Sequence, residues 1–233
     1  MSRRLVVSLA TIPTRIFAMR PTLDSLVRQT VRPSRIYLWY PEVFLRSFPK
    51  ERLIPNFLSE YPTLKLGSCD DHLALNKLLP VLKEENDPET LIVTVDDDTV
   101  YPETLLENFL KWQTVYPHAA LGLKGKTLLD WEGLNYKEIF PAKGLSALPQ
   151  QVDVLIGGRG IFFKRGFLDE EVFEIQKVPS PYVSQDIWFA GMLAKRHSPR
   201  FVVPFGEYEK MYSYQNEVDA LKNMPEVLQF KHA

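Results

Sequence analysis

The chain has one cysteine, Cys69, so no internal disulfide can form and nothing in its stability depends on an oxidising compartment. It also has no apolar run approaching the roughly 20 residues that cross a bilayer. The amino terminus starts basic at Arg3 and Arg4, but its apolar segment is short and is broken by Pro13 and Arg15, so it reads as a first strand and not as a signal peptide. Neither sign of charge is in surplus. The 28 Lys and Arg are interspersed with 29 Asp and Glu, leaving a net charge of -1, which excludes both a basic field for nucleic acid and an acidic tail. Internal repeats are absent. The expectation is one domain over 1-233, soluble and cytoplasmic, with no transmembrane segment and no nucleic-acid partner. With 45% hydrophobic and 24% charged residues, 233 positions can fill a large core.

The most informative stretch that is present is Leu91-Ile92-Val93-Thr94-Val95-Asp96-Asp97-Asp98, an apolar, β-branched run ending in three carboxylates. It reads as a buried strand delivering acids to a sheet edge. At an effective dielectric near that of a protein surface, adjacent carboxylates repel by a few kcal/mol, on the order of magnitude, unless a metal or basic group offsets them. The pattern therefore asks for a hard, oxygen-preferring ion, Mg²⁺ or Mn²⁺. The competing reading is a strand-ending turn in which Asp satisfies backbone amides, for which one or two acids suffice.

Around this stretch the first half alternates strand and helix. Leu5 to Ala10 reads as a strand, and Pro21, Leu23, Leu26 and Val27 as an amphipathic helix ending before Pro33. Arg35 to Tyr40 and Leu64 to Ser68 read as strands, with a short helix and loops over Val43 to Tyr61 between them. Leu75, Leu78, Leu79 and Leu82 form one helical face that Pro80 must bend or restart. Pro102 opens a further helix carrying Leu105, Leu106, Phe109 and Leu110. Such alternation implies a mostly parallel sheet with right-handed crossovers. In the second half, Ala119 to Leu123, Val152 to Ile156 and Phe201 to Val203 read as strands. Residues 124 to 151 have loop chemistry, and Ser184-Gln185-Asp186 precedes a helix holding Ile187, Trp188, Met192 and Leu193.

Ligands of open parallel sheets bind beyond the carboxyl ends of the strands. There the chain concentrates Thr11 and Arg15, then Asp70 and Asp71, then Asp96, Asp97 and Asp98. A nucleotide diphosphate with a metal would use all of them, with Arg15 or Lys77 adding positive charge. At these residues the chain resembles the GT-A glycosyltransferases, in particular the small family-2-like enzymes. Asp96 and Asp98 match the flanking acids of a DxD motif. The segment from Asp71 to Pro80 is similar to D-Y-G-P-x-T-K-L at Asp71 and Lys77, and departs from it at His72, Leu73, Ala74 and Asn76. Gly157-Gly158-Arg159-Gly160-Ile161-Phe162-Phe163 resembles the acceptor-side strand, and Gln185-Asp186-Ile187-Trp188 the later acid motif that supplies a base.

The resemblance implies an α/β fold of GT-A type: a Rossmann-like sandwich with a mostly parallel central sheet and helices on both faces. It implies a nucleotide-sugar-binding half over 1-123, an acceptor-side half over 124-204 and a tail over 205-233. The implied activity is metal-dependent transfer of a sugar from a nucleotide-diphosphate sugar, a UDP-sugar ahead of others, to a hydroxyl of a glycan or other acceptor, with inversion and with Mn²⁺ or Mg²⁺. Thr11, Arg15 and Asp71 would hold the nucleoside, and Lys77 and Asp97 would line the same cofactor site. Asp98 would be the principal metal ligand, and Asp96 would bind ribose or the metal. His232, and after it His197, are candidates for a further ligand. Asp186 would be the base, its rival role being a helix cap. Trp131, Tyr136 and Trp188 can stack on sugar rings or belong to the core.

Two other functions share these residues. Asp96-Asp97-Asp98-Thr99-Val100 also fits the D-x-D-x-[TV] of a haloacid-dehalogenase-type phosphatase, with Asp96 and Asp98 as nucleophile and general acid. About three strand-helix units precede it, however, where that motif belongs on a first strand, and no later Gly-Asp-x-x-x-Asp follows. A non-catalytic nucleotide-sugar-binding module would keep the metal site and give Asp186 no role.

Overall fold

The computed structural model describes residues 4-48, 52-130, 135-144, 147-178 and 185-214. The first half comprises β1 (Leu5–Ala10), α1 (Arg20–Val27), β2 (Arg35–Trp39), β3 (Leu64–Gly67), α2 (Leu79–Glu84), β4 (Leu91–Thr94), β5 (Thr99–Val100) and α3 (Leu105–Val115). The second half comprises β6 (Ala120–Gly122), β7 (Gly125–Asp130), β8 (Asn135–Ile139), β9 (Gln150–Gln151), β10 (Val154–Leu155), β11 (Ile161–Lys164), α4 (Gln185–Lys195), β12 (Arg200–Val202) and β13 (Tyr212–Ser213). Eight strands form one sheet in the order β3-β2-β1-β4-β11-β6-β12-β9. Its first four strands are parallel, as are β6 and β12. β11 runs against both β4 and β6, and the edge strand β9 runs against β12.

Both faces of this sheet are covered, because alternate residues of each central strand enter opposite layers. Leu5, Val7 and Leu9 of β1 pack with Leu23 and Leu26 of α1 and with Leu105, Leu106 and Phe109 of α3. Val6, Ile92 of β4 and Phe163 of β11 pack on the other side with Leu79 and Leu82 of α2 and with Phe189 and Leu193 of α4. Phe109 stacks on Phe162 at 5.7 Å in the first layer, and Phe163 meets Phe189 edge-on at 5.0 Å in the second. Among the described residues no helix is long and apolar enough to cross a membrane.

The local signals act mostly as read. Pro80 sits in the first turn of α2, where its missing N–H is not needed, so the helical face restarts after the 3-10 turn Leu73–Lys77. Residues 124 to 151 do not form the expected loop. β7 and β8 make an antiparallel hairpin that β10 extends into a three-stranded sheet. Its strands carry no apolar alternation to read, since β8 is Asn-Tyr-Lys-Glu-Ile with only Ile139 buried. Cross-strand contacts stand in for a core: Lys126 Nζ lies 3.6 Å from the Tyr136 ring centroid and Lys124 pairs with Glu138 at 3.1 Å. The strand expected over Val152 to Ile156 shortens to β10, Val154–Leu155, which joins the small sheet, while β9 just before it, at Gln150–Gln151, edges the main sheet.

Gly67 of β3 lies flat against the Trp39 indole, where a Cβ would stand 2.3 Å from Cζ3. That indole stacks on Tyr37 at 5.4 Å and its Nε1 donates to Ser8 Oγ at 3.0 Å. Gly67→Ala should therefore overpack the site and cost about 1–3 kcal/mol. Urea denaturation measures it, and an unchanged midpoint would contradict this packing.

Candidate functional site

β4 carries the chain to the sheet edge, and the three acids that follow part company. Asp97 turns inward: Thr11 Oγ1 donates to its Oδ2 at 2.7 Å, and Arg15 Nη1 donates to its Oδ1 at 3.1 Å. The same Arg15 nitrogen also donates to Asp98 Oδ2 at 3.1 Å, and Thr99 Oγ1 donates to Asp98 Oδ1 at 3.2 Å. Lys77 Nζ donates to Asp96 Oδ1 in a short ion pair. Asp96 and Asp98 stay partly open to solvent, at 32% and 19% of side-chain exposure, against 7% for Asp97.

The loop that holds the acids is pinned from behind. Thr22 Oγ1, on the buried face of α1, lies 3.0 and 2.8 Å from the carbonyls of Asp97 and Thr99. The Asp96 amide donates to Tyr101 Oη at 2.9 Å. β13 pairs with β5, after which the Tyr214 amide donates to the Asp98 carbonyl at 3.0 Å. Thr22, Tyr101 and Tyr214 are contributions that the motif reading missed. A polar residue beside Leu23 and Leu26 on an apolar helix face was the one available sign, for Thr22.

Burial pushes the Asp97 carboxyl up to about 6, with Arg15 and the Thr11 hydroxyl opposing it and Asp98 and Asp96 adding to it. Burial raises Asp98 as well, and Asp96 adds to that rise while Arg15 opposes it. For Lys77, burial disfavours the ammonium, but Asp96, then Asp186 and Asp97, hold its pKa above the usual lysine value. Arg15 is likewise held charged against burial by Asp97 and Asp98. The edge is thus a set of carboxylates interleaved with two cations.

The second half reaches the same place for a topological reason. Because β11 is antiparallel to β4, its first residue, Ile161, pairs with Thr94, and the glycine turn before it arrives beside the acids. In that turn the Gly157 amide donates to Asp186 Oδ1 at 3.0 Å. A Cβ on Gly157 would stand 3.1 Å from Asp186 Oδ1 and 3.3 Å from Lys77 Nζ, and one on Gly158 would stand 3.4 Å from Asp96 Oδ2. Asp186, Lys77 and Asp96 therefore gather around the two glycines, which leave them room. Asp186 lies inside the first turn of α4 and its carboxylate reaches across to another element.

Asp71, expected at the nucleoside, is 9% exposed and largely engaged within the protein. Its Oδ2 accepts from the Leu45 amide at 2.8 Å, and its Oδ1 accepts from the Leu73 amide at 2.9 Å and from Asn76 Nδ2 at 2.7 Å. These bonds hold Leu73 in the left-handed region, φ 55°. Asp71 also borders a cavity of about 460 Å³ lined by Glu42, Val43, Leu45, Ser68, Cys69 and Asp70 at the carboxyl ends of β2 and β3. Cys69 there is a poor thiolate, since burial, with Asp71 and Asp70, pushes it up to about 12.

His197 does not join the site. It caps the far end of α4 at φ 53°, donating its amide to the Ala194 carbonyl, and α4 separates it from Asp186 by roughly 16 Å. Trp188 donates Nε1 to the Val172 carbonyl and packs with the core, while Tyr136 lies on the hairpin under Lys126. His232 and Trp131 lie outside the described residues. Among the described residues no set of three or more His, Cys, Asp and Glu side chains stands arranged for a metal ion. With Asp97 turned inward, the acid loop offers two carboxylates, Asp96 and Asp98. That donor set suits an ion whose remaining ligands come from substrate phosphates and water, the usual habit of Mg²⁺.

The sequence matches no protein-family model and none of the curated proteins. Among solved structures it is similar to S. aureus TarS 1-349 in complex with UDP-GlcNAc, at a TM-score of 0.60 and 12% identity, over 95% of this chain and 61% of that one. The chain thus spans about three fifths of the TarS chain it matches. The likeness is one of fold: an α/β, GT-A type, Rossmann-like sandwich with a mostly parallel central sheet and helices on both faces.

The placement of Asp71 makes it a structural tie for the loops at Leu45 and Leu73. Asp71→Ala should strand three donors and cost about 1–3 kcal/mol, with faster hydrogen exchange at the Leu45 and Leu73 amides. Wild-type stability and protection in the variant would remove that role.

Proposed function

We propose that the chain is a glycosyltransferase that moves a sugar from a nucleotide-diphosphate sugar, a UDP-sugar ahead of others, to an acceptor hydroxyl with inversion. The observation that carries the reading is the meeting of Asp96, Lys77 and Asp186 around Gly157 and Gly158, with the Gly157 amide fixing the Asp186 carboxylate at 3.0 Å. A base and a charge-balanced acid pair at one sheet edge are what the transfer needs. The UDP-GlcNAc in the TarS crystal structure, on a chain of the same fold, supports the donor class.

In this reading Thr11 and Arg15 line the donor side, and the cavity beside Asp71 takes the nucleobase. Asp96 and Asp98 hold Mn²⁺ or Mg²⁺, with His232 of the tail as candidate third ligand. When bound, the ion acts as a Lewis acid on the leaving diphosphate. Arg15, already between Asp97 and Asp98, adds positive charge where the diphosphate leaves. Asp186 accepts the proton of the attacking hydroxyl, its orientation set by the glycine amide. The glycines keep side chains out of the space between donor and acceptor.

Asp186→Asn keeps the shape and an acceptor oxygen for Gly157 but removes the basicity. Transfer from a UDP-sugar should fall by roughly 10²- to 10⁴-fold while UDP affinity stays near wild type. Near-normal turnover would take Asp186 out of the chemistry and leave a retaining mechanism or another base. Asp98→Asn should abolish the Mn²⁺-dependent gain in UDP affinity, read by calorimetry, without loss of fold, since it removes a repelling charge. Metal dependence unchanged in that variant would refute the acid loop as the metal site.

A further inference from the structure

Arg159 ends the glycine turn, one residue beyond the glycine that faces Asp96. Its Cζ lies 5.8 Å from the centroid of the Tyr208 ring, and that ring meets Phe140, just past β8, at 6.3 Å. The guanidinium Nη1 is buried and has no hydrogen-bond partner among the described residues. A donor on a permanently charged group, withdrawn from water and left unmet, is costly and calls for an acceptor. The other cations here are engaged, Lys77 on Asp96 and Arg15 on Asp97 and Asp98. Glu209 is close enough to feel Arg159, but it is bound by Lys143 at 2.8 Å.

We infer that Arg159, stacked on Tyr208 beside the glycine turn, binds an oxyanion, phosphate or carboxylate, carried by the acceptor. The inference rests on the transferase reading above. Two observations assign the anion to the acceptor and not to the donor diphosphate. Arg159 itself and Phe140, which the Tyr208 ring meets, lie in the 124-204 stretch, whereas Thr11 and Arg15 belong to the first half. Arg159 is also two Cα steps of about 3.8 Å from Gly157, whose amide holds the proposed base. An anion seated on the guanidinium fork would thus set an acceptor hydroxyl toward Asp186. The fork suits the paired oxygens of a phosphate or a carboxylate, which a lysine would hold less well. Arg159 is in this account a specificity-determining residue.

Calorimetry on the full chain, with and without UDP and Mn²⁺, decides the matter. Glycerol 3-phosphate and glucuronate are the probes, with glycerol and glucose as uncharged controls. The anions should bind and the controls should not, and the tighter of the two anions identifies its source. Arg159→Gln should weaken anion binding by roughly tenfold or more, and Arg159→Lys, which keeps charge but loses the fork, should fall between. Lys111→Gln, an exposed cation on α3 with no contact to Arg159, Tyr208 or Glu209, should bind the anions as wild type does. Equal binding of anions and controls, or equal losses in Arg159→Gln and Lys111→Gln, would overturn the inference. So would a parallel loss of UDP affinity in Arg159→Gln, which would place Arg159 on the donor. Failure of UDP to bind the wild type would instead refute the transferase reading, and the arm without UDP still decides Arg159.

Discussion

Three carboxylates in succession at the end of a buried strand repel one another, and the molecule holds them by separating them and placing cations between. Asp97 is driven inward to Thr11 and Arg15, where burial raises it to about 6. Arg15 bridges to Asp98, and Lys77 takes Asp96 while lying within the field of Asp186. Much of the surrounding architecture serves this arrangement. The loop after β1 supplies Thr11 and Arg15, the 3-10 turn before α2 supplies Lys77, and Ser8 fixes the backbone of Lys77 by donating to its carbonyl at 2.7 Å. Helix α1 and the strand pair β5 and β13 hold the loop itself.

The reversed strand β11 is what brings the two halves to one edge. A wholly parallel sheet would begin each strand at the edge away from the acids, but β11 begins at the acids and carries its glycine turn there. β12, parallel to β6, returns the chain to the original direction, so α4, which precedes it, starts at the same edge and presents Asp186. Groups from the two halves of the chain thus meet through strand direction alone. The glycines then allow contact distances that any side chain would obstruct.

Much of this could be read from residue patterns. The β-branched run into Asp96 announced the strand and its edge, and the repeated strand-helix order announced a mostly parallel sheet. Pro21 and Pro80 marked helix starts because the first turn tolerates a missing N–H. The β7–β8 hairpin was illegible because its stabilising contacts are cation–π and ionic pairs from half-buried lysines to exposed residues of β8, which leave no period-2 apolar signal. Within the site, residue types alone could not tell that Asp97 faces inward while its neighbours face out, nor that Asp71 is occupied with Leu45, Leu73 and Asn76. Tyr101 reaches back only five residues to the Asp96 amide, but the supporting role of Tyr214 depends on a chain reversal that brings a distant segment onto the acid loop and has no local signature.

The proposed transfer requires a donor diphosphate held at Asp96 and Asp98 beside Asp186. Crystals of the chain grown with UDP and Mn²⁺ and measured at the manganese absorption edge test this directly. An anomalous peak within bonding distance of the Asp96 and Asp98 carboxylates, with the UDP diphosphate on the same ion and the uracil in the cavity beside Asp71, is the result predicted. Manganese and UDP bound elsewhere, or the acid loop unchanged with Lys77 and Arg15 still closing it under saturating ligand, would contradict it.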